Sequence, residues 1–408
     1  MIAEYVVRFL TSLYIGIWIA KYLGPESYGV FSYVLLFISV FHGISNLGLN
    51  GILVKEFIEN IEKQKIYVVT SICLNILGGV ISLACIYVIL IILNTDDAVK
   101  DLILILSLSL ILQSFNVIEY FYIAGVKAKV VSICKIIQIT ISSILKILGI
   151  VQNFEIKYFV IIVMLESAVL SFLYVYAYWN VNKINLIGYF SFFTAKSLLK
   201  KSWPLMISSV VYMLYVRIDQ FMIKEILGNY ELGIYSAAIK INDIFCIIPI
   251  ILCTSFFPAL INVKDNKEIY LKRFKYLYSS FNIYAYLIIF SMYIFGFEVF
   301  VKLFGAEYID SVEILQVIVF ANIFIFQGVV FNRYLISENL TIHDLYRNLT
   351  GLFINIVLNY FLIDKYGNIG AAYSTLFSVF CANILFDFFS NDFKIIRIMK
   401  IKSLLFIR

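Results

Sequence analysis

Four ionisable residues lie inside two long apolar stretches of this sequence, Arg217 and Asp219 in the first, Lys240 and Asp243 in the second. An ionisable side chain at the depth of a lipid bilayer costs several kcal/mol, so such residues usually pair with one another or serve a function. An arginine guanidinium can donate two parallel hydrogen bonds to one anion. The sequence contains no Walker motif, zinc-ligand spacing, nucleophile elbow or nucleotide fingerprint. We therefore treat these residues as candidates for binding or for pairing with one another, not for catalysis.

The stretches that hold these residues are two of about twelve apolar segments. Hydrophobic residues make up 62% of the 408 residues, charged residues only 14%, and the mean hydropathy is +0.95. Runs of about 20 apolar residues cross a bilayer as helices, which satisfy their own backbone hydrogen bonds. We therefore predict an all-α polytopic membrane protein without a soluble domain. The predicted spans are 3–22, 29–50, 67–93, 102–124, 131–151, 158–179, 204–226, 233–261, 279–301, 312–332, 345–363 and 369–390.

The segments form two copies of one six-helix unit. LGPESYGVFS from Leu23 to Ser32 is echoed by LGNYELGIYS from Leu227 to Ser236, an offset of 204 residues and half of the chain. Repeats of six spans run in the same direction, so their pseudo-two-fold axis is parallel to the membrane normal and the natural binding site is the cleft between them. The predicted domains are an N-terminal lobe (1–181), a cytoplasmic amphipathic linker (182–202), a C-terminal lobe (203–390) and a basic cytoplasmic tail (391–408).

The basic residues predict the orientation. Lys and Arg number 22 in alternate loops and the C-terminal tail, against six in the opposite loops. The positive-inside rule then places both termini in the cytoplasm, and the net charge of +6 reflects this topology rather than a nucleic-acid partner. The first span lacks the basic start and cleavage site of a signal peptide. It begins almost at Met1, which leaves open whether the native start lies upstream.

Cysteine and histidine usage argues against a metal or redox centre. The six cysteines all lie in apolar runs without a CxxC spacing, and the chain has only two histidines. We therefore expect no disulfide framework, no metal site and no other cofactor.

Five stretches together resemble a known family. They are IWIAKYLGPESYGVFSYV (17–34), SWPLMISSVVYMLYVRIDQFMI (202–223), LGNYELGIYSAAIKI (227–241), FEVFVKLFGAEYIDSVEIL (297–315) and NIVLNYFLIDKYGNIGAAYSTLFS (355–378). In order and spacing they resemble the Wzx-type polysaccharide-export flippases. That family belongs to the multidrug/oligosaccharidyl-lipid/polysaccharide exporter superfamily, with the MATE drug exporters and the lipid II flippases. The chain departs from the pattern in lacking a few residues before the first span, in having Asp364 where a proline is common and in showing only twelve spans. The span count argues against the fourteen-span lipid II branch.

The resemblance implies a non-enzymatic inner-membrane protein. Such a flippase moves an undecaprenyl-diphosphate-linked oligosaccharide unit from the cytoplasmic to the outer leaflet by alternating access, for assembly of O-antigen, capsule or exopolysaccharide. Its implied partners are the lipid-linked unit, membrane lipids, a polysaccharide polymerase and a chain-length regulator. The alternative is a MATE-like, cation-coupled antiporter of drugs or metabolites. A membrane-embedded polymerase is less compatible because it needs a long catalytic loop. The sequence identifies neither the sugars, the polymer, the coupling ion nor the oligomeric state.

Within this interpretation, Arg217 is the main candidate for binding the diphosphate, assisted by Lys240 and Arg8. Counted from the outer turns at about 1.5 Å per residue, Arg217 and Asp243 lie roughly 16 and 15 Å deep, near the middle of a core about 30 Å thick. Two pairs are therefore expected, Arg217 with Asp243 and Asp219 with Lys240. Tyr212 and Tyr215 are candidates for stacking on sugar rings.

Each of these candidates also has a structural interpretation. In that interpretation the four charged residues of spans seven and eight serve solely to neutralise one another. Arg8 and Lys146 lie close enough to a membrane surface to snorkel. Glu119 and Glu166 belong to the N-terminal half, where a cation-coupled exporter would keep its carboxylates. Asn355 and Asn359, one turn apart on span eleven, are expected to form interhelical hydrogen bonds.

Overall fold

The computed structural model describes residues 2–182, 188–338, 340–390 and 393–404, with side chains from residue 11 onward except at 12, 181 and 182. Within these ranges the chain forms α-helices and no strand, as predicted. The helices are α1 (Ile2–Ser45), α2 (Leu53–Glu59), α3 (Gln64–Ile92), α4 (Asp97–Leu112), α5 (Val117–Ala124), α6 (Ala128–Val151), α7 (Ile156–Asn182), α8 (Phe192–Leu227), α9 (Asn229–Ile261), α10 (Lys267–Leu303), α11 (Ser311–Ser337), α12 (Ile342–Asn383) and α13 (Lys394–Leu404). Short 3-10 segments cover Leu49–Gly51, Ile61–Lys63, Gln113–Asn116, Ala306–Tyr308 and Leu385–Phe389.

Ten helical segments of the described chain are long and apolar enough to cross a membrane. Two of them join a pair of predicted spans at a kinked glycine. Gly24 (φ 70°) divides α1 between spans one and two, and Gly367 (φ 59°) divides α12 between spans eleven and twelve. The ten segments therefore accommodate the twelve predicted spans.

The internal repeat is visible in the backbone of the two echoed turns. Gly24 has φ 70° and ψ 168°, and Gly228 at the equivalent position has φ 96° and ψ −173°. Residues other than glycine rarely adopt a positive φ, which explains why both copies have glycine at this position.

A second glycine of each turn allows close backbone contact. A Cβ atom added at Gly29 would lie 1.8 Å from the carbonyl oxygen of Asn229, and one added at Gly233 would lie 1.9 Å from that of Pro25. The two copies of the turn therefore touch through their backbones, and no larger residue fits at either position.

The first compact unit comprises Met1–Leu23 and Val30–Met213. The beginning of α8 packs into its core, where Ala195 and Leu198 are buried, while Phe192 and Phe193 on the other side of the helix are 77% and 84% exposed. This stretch falls in the region predicted as an amphipathic linker. Its location on the membrane surface stays a prediction.

The second compact unit comprises Gly24–Gly29 and Leu214–Arg408. Helix α11 lies at its centre, packed against α9, α10 and α12. In the most apolar window of each helix, 67% of the residues of α11 are buried but only 17% of those of α9. Helix α9 therefore presents a wide surface that other helices do not cover.

Candidate functional site

Arg217 and Asp243 form an ion pair between α8 and α9. The Arg217 Nη2 atom donates to Asp243 Oδ2 at 2.9 Å, and the two side chains are 24% and 45% exposed. This is the first of the two pairs expected from depth along the helices. Because the pair is accessible, an incoming anion can compete with Asp243 for the guanidinium.

Asp219 does not pair with Lys240, contrary to the second expectation. Its carboxylate is 3% exposed and accepts hydrogen bonds from the Tyr235 hydroxyl at 2.5 Å and the Thr375 hydroxyl at 3.3 Å. The backbone N–H of Gln220 donates at 2.8 Å. Neutral donors from α9 and α12 thus satisfy this acid, which joins α8 to both helices.

A chain of buried polar side chains continues from Thr375 along α12. The amide of Asn355 donates to the hydroxyls of Thr375 at 3.4 Å and Ser378 at 3.2 Å, and Asn359 donates to Asn355 Oδ1 at 2.8 Å. These bonds link the two halves of α12 on either side of its kink. The interhelical role is confirmed for Asn355, whereas Asn359 bonds Asn355 on its own half of the helix.

The two tyrosines near Arg217 differ in accessibility. Tyr212 is 45% exposed. Tyr215 is partly buried, and its ring lies so close to α12 that a Cβ at Gly351 would meet Cε2 at 2.6 Å. Of the two candidates for sugar stacking, Tyr212 has the more accessible ring.

The remaining basic candidates are Lys240 and Arg8. Lys240 lies on α9, one helical turn before Asp243, and is partly buried. Arg8 lies on α1 but belongs to the residues whose side chains fall outside the description. Its proposed contact with substrate therefore stays a prediction.

Both acids of the N-terminal half are held by lysines of α6. Lys135 Nζ lies 2.5 Å from Glu119 Oε1, and the Tyr174 hydroxyl donates to Glu119 Oε2 at 3.0 Å. Lys146 pairs with Glu166, which the sequence interpretation of Lys146 as a snorkelling residue did not anticipate. Each carboxylate already has a cationic partner, so this arrangement favours a structural role over cation binding.

A buried ionic cluster secures α13, a feature that the sequence did not predict. Lys400 Nζ donates to Asp387 Oδ2 at 2.7 Å, and both side chains are 1% exposed. Asn383 connects this pair to Arg347, because the Lys400 ammonium donates to its backbone oxygen at 2.8 Å and Arg347 donates to its side-chain oxygen at 2.9 Å. Burial lowers the pKa of Lys400 to about 8, while the Asp387 carboxylate opposes this shift. The basic tail is thus partly an integral piece of the second unit.

The chain is similar in sequence to known proteins. The family model described as "Polysaccharide biosynthesis protein" matches residues 18–313. A Shigella flexneri protein named as an O-antigen transporter is 29% identical over 207 residues, which is 48% of this chain and 48% of that protein. The capsular polysaccharide biosynthesis protein CapF of Staphylococcus aureus is 26% identical over 240 residues, 58% of this chain and 60% of CapF. The matched region thus spans about half to three fifths of these relatives.

The fold also matches a solved structure. The lipid II flippase MurJ in an inward closed conformation superposes with a TM-score of 0.80 over 99% of this chain and 90% of MurJ, at 15% sequence identity. At that identity the likeness shows a shared fold. It leaves the role and the substrate to be argued from the site.

Proposed function

The chain belongs to the polysaccharide biosynthesis protein family, and we propose that it is a flippase for undecaprenyl-diphosphate-linked oligosaccharide units. It moves them from the cytoplasmic to the outer leaflet of the bacterial inner membrane by alternating access. The observation that carries this proposal is the accessible Arg217–Asp243 pair, 2.9 Å apart, in the middle of two helices predicted to span the membrane.

The pair suits the chemistry of the proposed substrate. A diphosphate offers pairs of phosphate oxygens, and the planar guanidinium can donate two parallel hydrogen bonds to such a pair. Without substrate, Asp243 pairs with Arg217, and the pair avoids an uncompensated charge at bilayer depth. When substrate arrives, the phosphate oxygens replace the carboxylate, and Asp243, which is 45% exposed, can turn toward water.

The sugar head group needs a polar path for a different reason. Each hydroxyl transferred to hydrocarbon without a hydrogen bond costs about 4 to 8 kcal/mol. Tyr212 offers an exposed ring for stacking, with Tyr215, Lys240 and Arg8 as further candidates for the lining of the path. The polyprenyl tail can remain in the lipid while the head group passes.

The membrane potential can drive the reaction. A diphosphate with about two negative charges that moves outward across an inside-negative membrane gains roughly 4.6 kcal/mol per 100 mV. In this proposal both termini lie in the cytoplasm, and a polysaccharide polymerase consumes the exported unit.

Complementation tests this function. The chain is expressed in a host that makes the cognate lipid-linked glycan but lacks its own flippase, as wild type and as Arg217→Ala at matched protein level. We expect wild type to restore surface polysaccharide and Arg217→Ala to leave lipid-linked units in the cytoplasmic leaflet. If deletion of the gene in its native host causes no accumulation of such units, the flippase proposal is wrong and the antiporter alternative replaces it.

A further inference from the structure

Arg333, near the end of α11, contacts the last turns of α9. Its Nη2 atom donates to the Thr254 hydroxyl at 2.9 Å, and its guanidinium carbon lies 5.7 Å from the centre of the Phe257 ring. The Nε–H group is buried and has no hydrogen-bond partner among the described residues. One neutral hydrogen bond and one ring contact therefore hold this cation.

Several other cations of the described chain have carboxylate partners. Within the described ranges, no carboxylate oxygen lies within 4 Å of the Arg333 guanidinium nitrogens, whereas several lysines and arginines have one; these are Lys135, Lys146, Lys201, Arg217, Lys264, Arg347 and Lys400. Arg333 is thus a partly buried cation whose charge the described residues leave uncompensated. Binding of an anion would compensate that charge.

The partner of Arg333 lies in line with the Arg217–Asp243 pair. Thr254 follows Asp243 by 11 residues on the continuous helix α9, which is about three helical turns and roughly 16 Å. Residues three turns apart share one face of a helix. Thr254, like most residues from 248 to 259, is exposed. Two guanidiniums from neighbouring helices therefore bond residues of α9 three turns apart, Arg217 at the predicted mid-depth and Arg333 at the end predicted to face the cytoplasm.

We propose that Arg333, with Thr254 and Phe257, forms a phosphate-binding subsite that takes the diphosphate of a polyprenyl carrier before it reaches Arg217. The inference rests on the proposed function for the identity of the carrier. The Thr254 hydroxyl donates to the Ile250 carbonyl oxygen at 2.8 Å and accepts from Arg333, so it fixes the position of the guanidinium. The Phe257 ring restricts the guanidinium through a cation–π contact. A phosphate at this position accepts charge-assisted hydrogen bonds from the Arg333 guanidinium without having to displace a carboxylate.

The test is direct binding to the purified full chain in detergent. Geranylgeranyl diphosphate is the probe, geranylgeraniol measures the contribution of the tail, and inorganic pyrophosphate measures that of the head. We expect Arg333→Ala to weaken binding of geranylgeranyl diphosphate by about tenfold or more and Arg333→Lys by less, because lysine keeps the charge without the fork. Binding of geranylgeraniol stays unchanged.

Arg397 supplies the matched control. It is also an arginine predicted on the cytoplasmic side, held by a hydrogen bond to the Asp387 carbonyl oxygen at 3.4 Å and a contact with the Phe388 ring at 4.4 Å. Arg397→Ala should bind the probe like wild type. Unchanged binding by Arg333→Ala, with a melting temperature equal to wild type, overturns the proposal. If Arg333→Ala does not fold, Thr254→Val replaces it, with a severalfold loss expected and no loss contradicting the subsite.

Two further outcomes separate the sources of phosphate. Binding is repeated in nanodiscs with and without phosphatidylglycerol. If phosphatidylglycerol displaces the probe and Arg333→Ala weakens phosphatidylglycerol equally, the subsite binds bilayer headgroups and the carrier assignment is overturned. If Arg333→Ala keeps full affinity while Arg217→Ala loses transport, this inference fails and the proposed function survives.

Discussion

The guanidinium of Arg217 bonds the carboxylate of Asp243 at 2.9 Å across α8 and α9, whereas Asp219, two residues farther along α8, bonds the hydroxyls of Tyr235 and Thr375. The two aspartates that flank the site therefore have different tasks. In the proposed mechanism Asp243 is the exchangeable counter-ion of Arg217 and Asp219 is a structural acid.

The first prediction concerns Asp243. Asp243→Asn should raise the affinity of the purified protein for geranylgeranyl diphosphate severalfold, because it removes the carboxylate that competes for Arg217. Transport should fall, because the released arginine no longer has a partner that displaces the product. Isothermal titration and a transport assay measure the two effects. Weaker binding by Asp243→Asn would contradict the exchange of partners.

The second prediction concerns Asp219. Asp219→Ala should lower the free energy of unfolding by about 2 to 4 kcal/mol, because it removes the acceptor of the buried Tyr235 hydroxyl, the partly buried Thr375 hydroxyl and the N–H of Gln220. Asp243→Ala is the matched control, with a smaller loss because that side chain is 45% exposed. Melting in detergent, followed by tryptophan fluorescence, compares them. Equal losses would show that the two acids have the same role.

The third prediction concerns the contact between the two repeated turns. Gly29→Ala should destabilise the protein by about 1 to 3 kcal/mol and reduce transport, because the added methyl would lie 1.8 Å from the Asn229 carbonyl oxygen. Gly296→Ala is the control, since its Cβ would be no nearer than 3.9 Å to another side chain. That change should be neutral or slightly stabilising in a helix. Wild-type melting and transport by Gly29→Ala would contradict the close packing.

The fourth prediction concerns α13. Lys400→Met should cost about 3 to 5 kcal/mol, because it strands the buried Asp387 carboxylate. The double change Lys400→Met with Asp387→Asn should recover much of this loss, because neither buried charge remains. Lys402→Met on the exposed side of α13 serves as the control. Thermal melting of the four proteins provides the comparison, and a double variant no more stable than Lys400→Met would contradict the pairing.

The architecture and one half of the site follow from the sequence. Apolar length predicts the helices, and counting from the glycine turns gives the depths of Arg217 and Asp243. Depth does not give rotation about the helix axis. Asp219 lies two residues after Arg217, hence about 200° around α8, and its carboxylate therefore meets Tyr235 and Thr375 rather than Lys240.

The contacts of two basic residues could not be predicted from the charge pattern. Lys400 and Arg333 both lie in stretches predicted to face the cytoplasm, where Lys and Arg are expected for reasons of topology alone. Burial of Lys400 depends on Asp387, which lies thirteen residues earlier in the 3-10 segment Leu385–Phe389. Arg333 has no carboxylate within 4 Å among the described residues, which depends on where the folded chain places its acids. Neither relationship has a sequence period, so only the folded chain reveals them.

The most direct test of the central claim is transport in proteoliposomes. The purified chain is reconstituted with a fluorescent undecaprenyl-diphosphate-linked oligosaccharide, and an enzyme outside the vesicles reports how much of it becomes accessible with time. The account predicts rapid exposure with wild type, acceleration when the potential is negative on the side of origin, and near-background rates with Arg217→Ala. Equal rates for Arg217→Ala and wild type, or no exposure above protein-free vesicles with the cognate glycan, would contradict it.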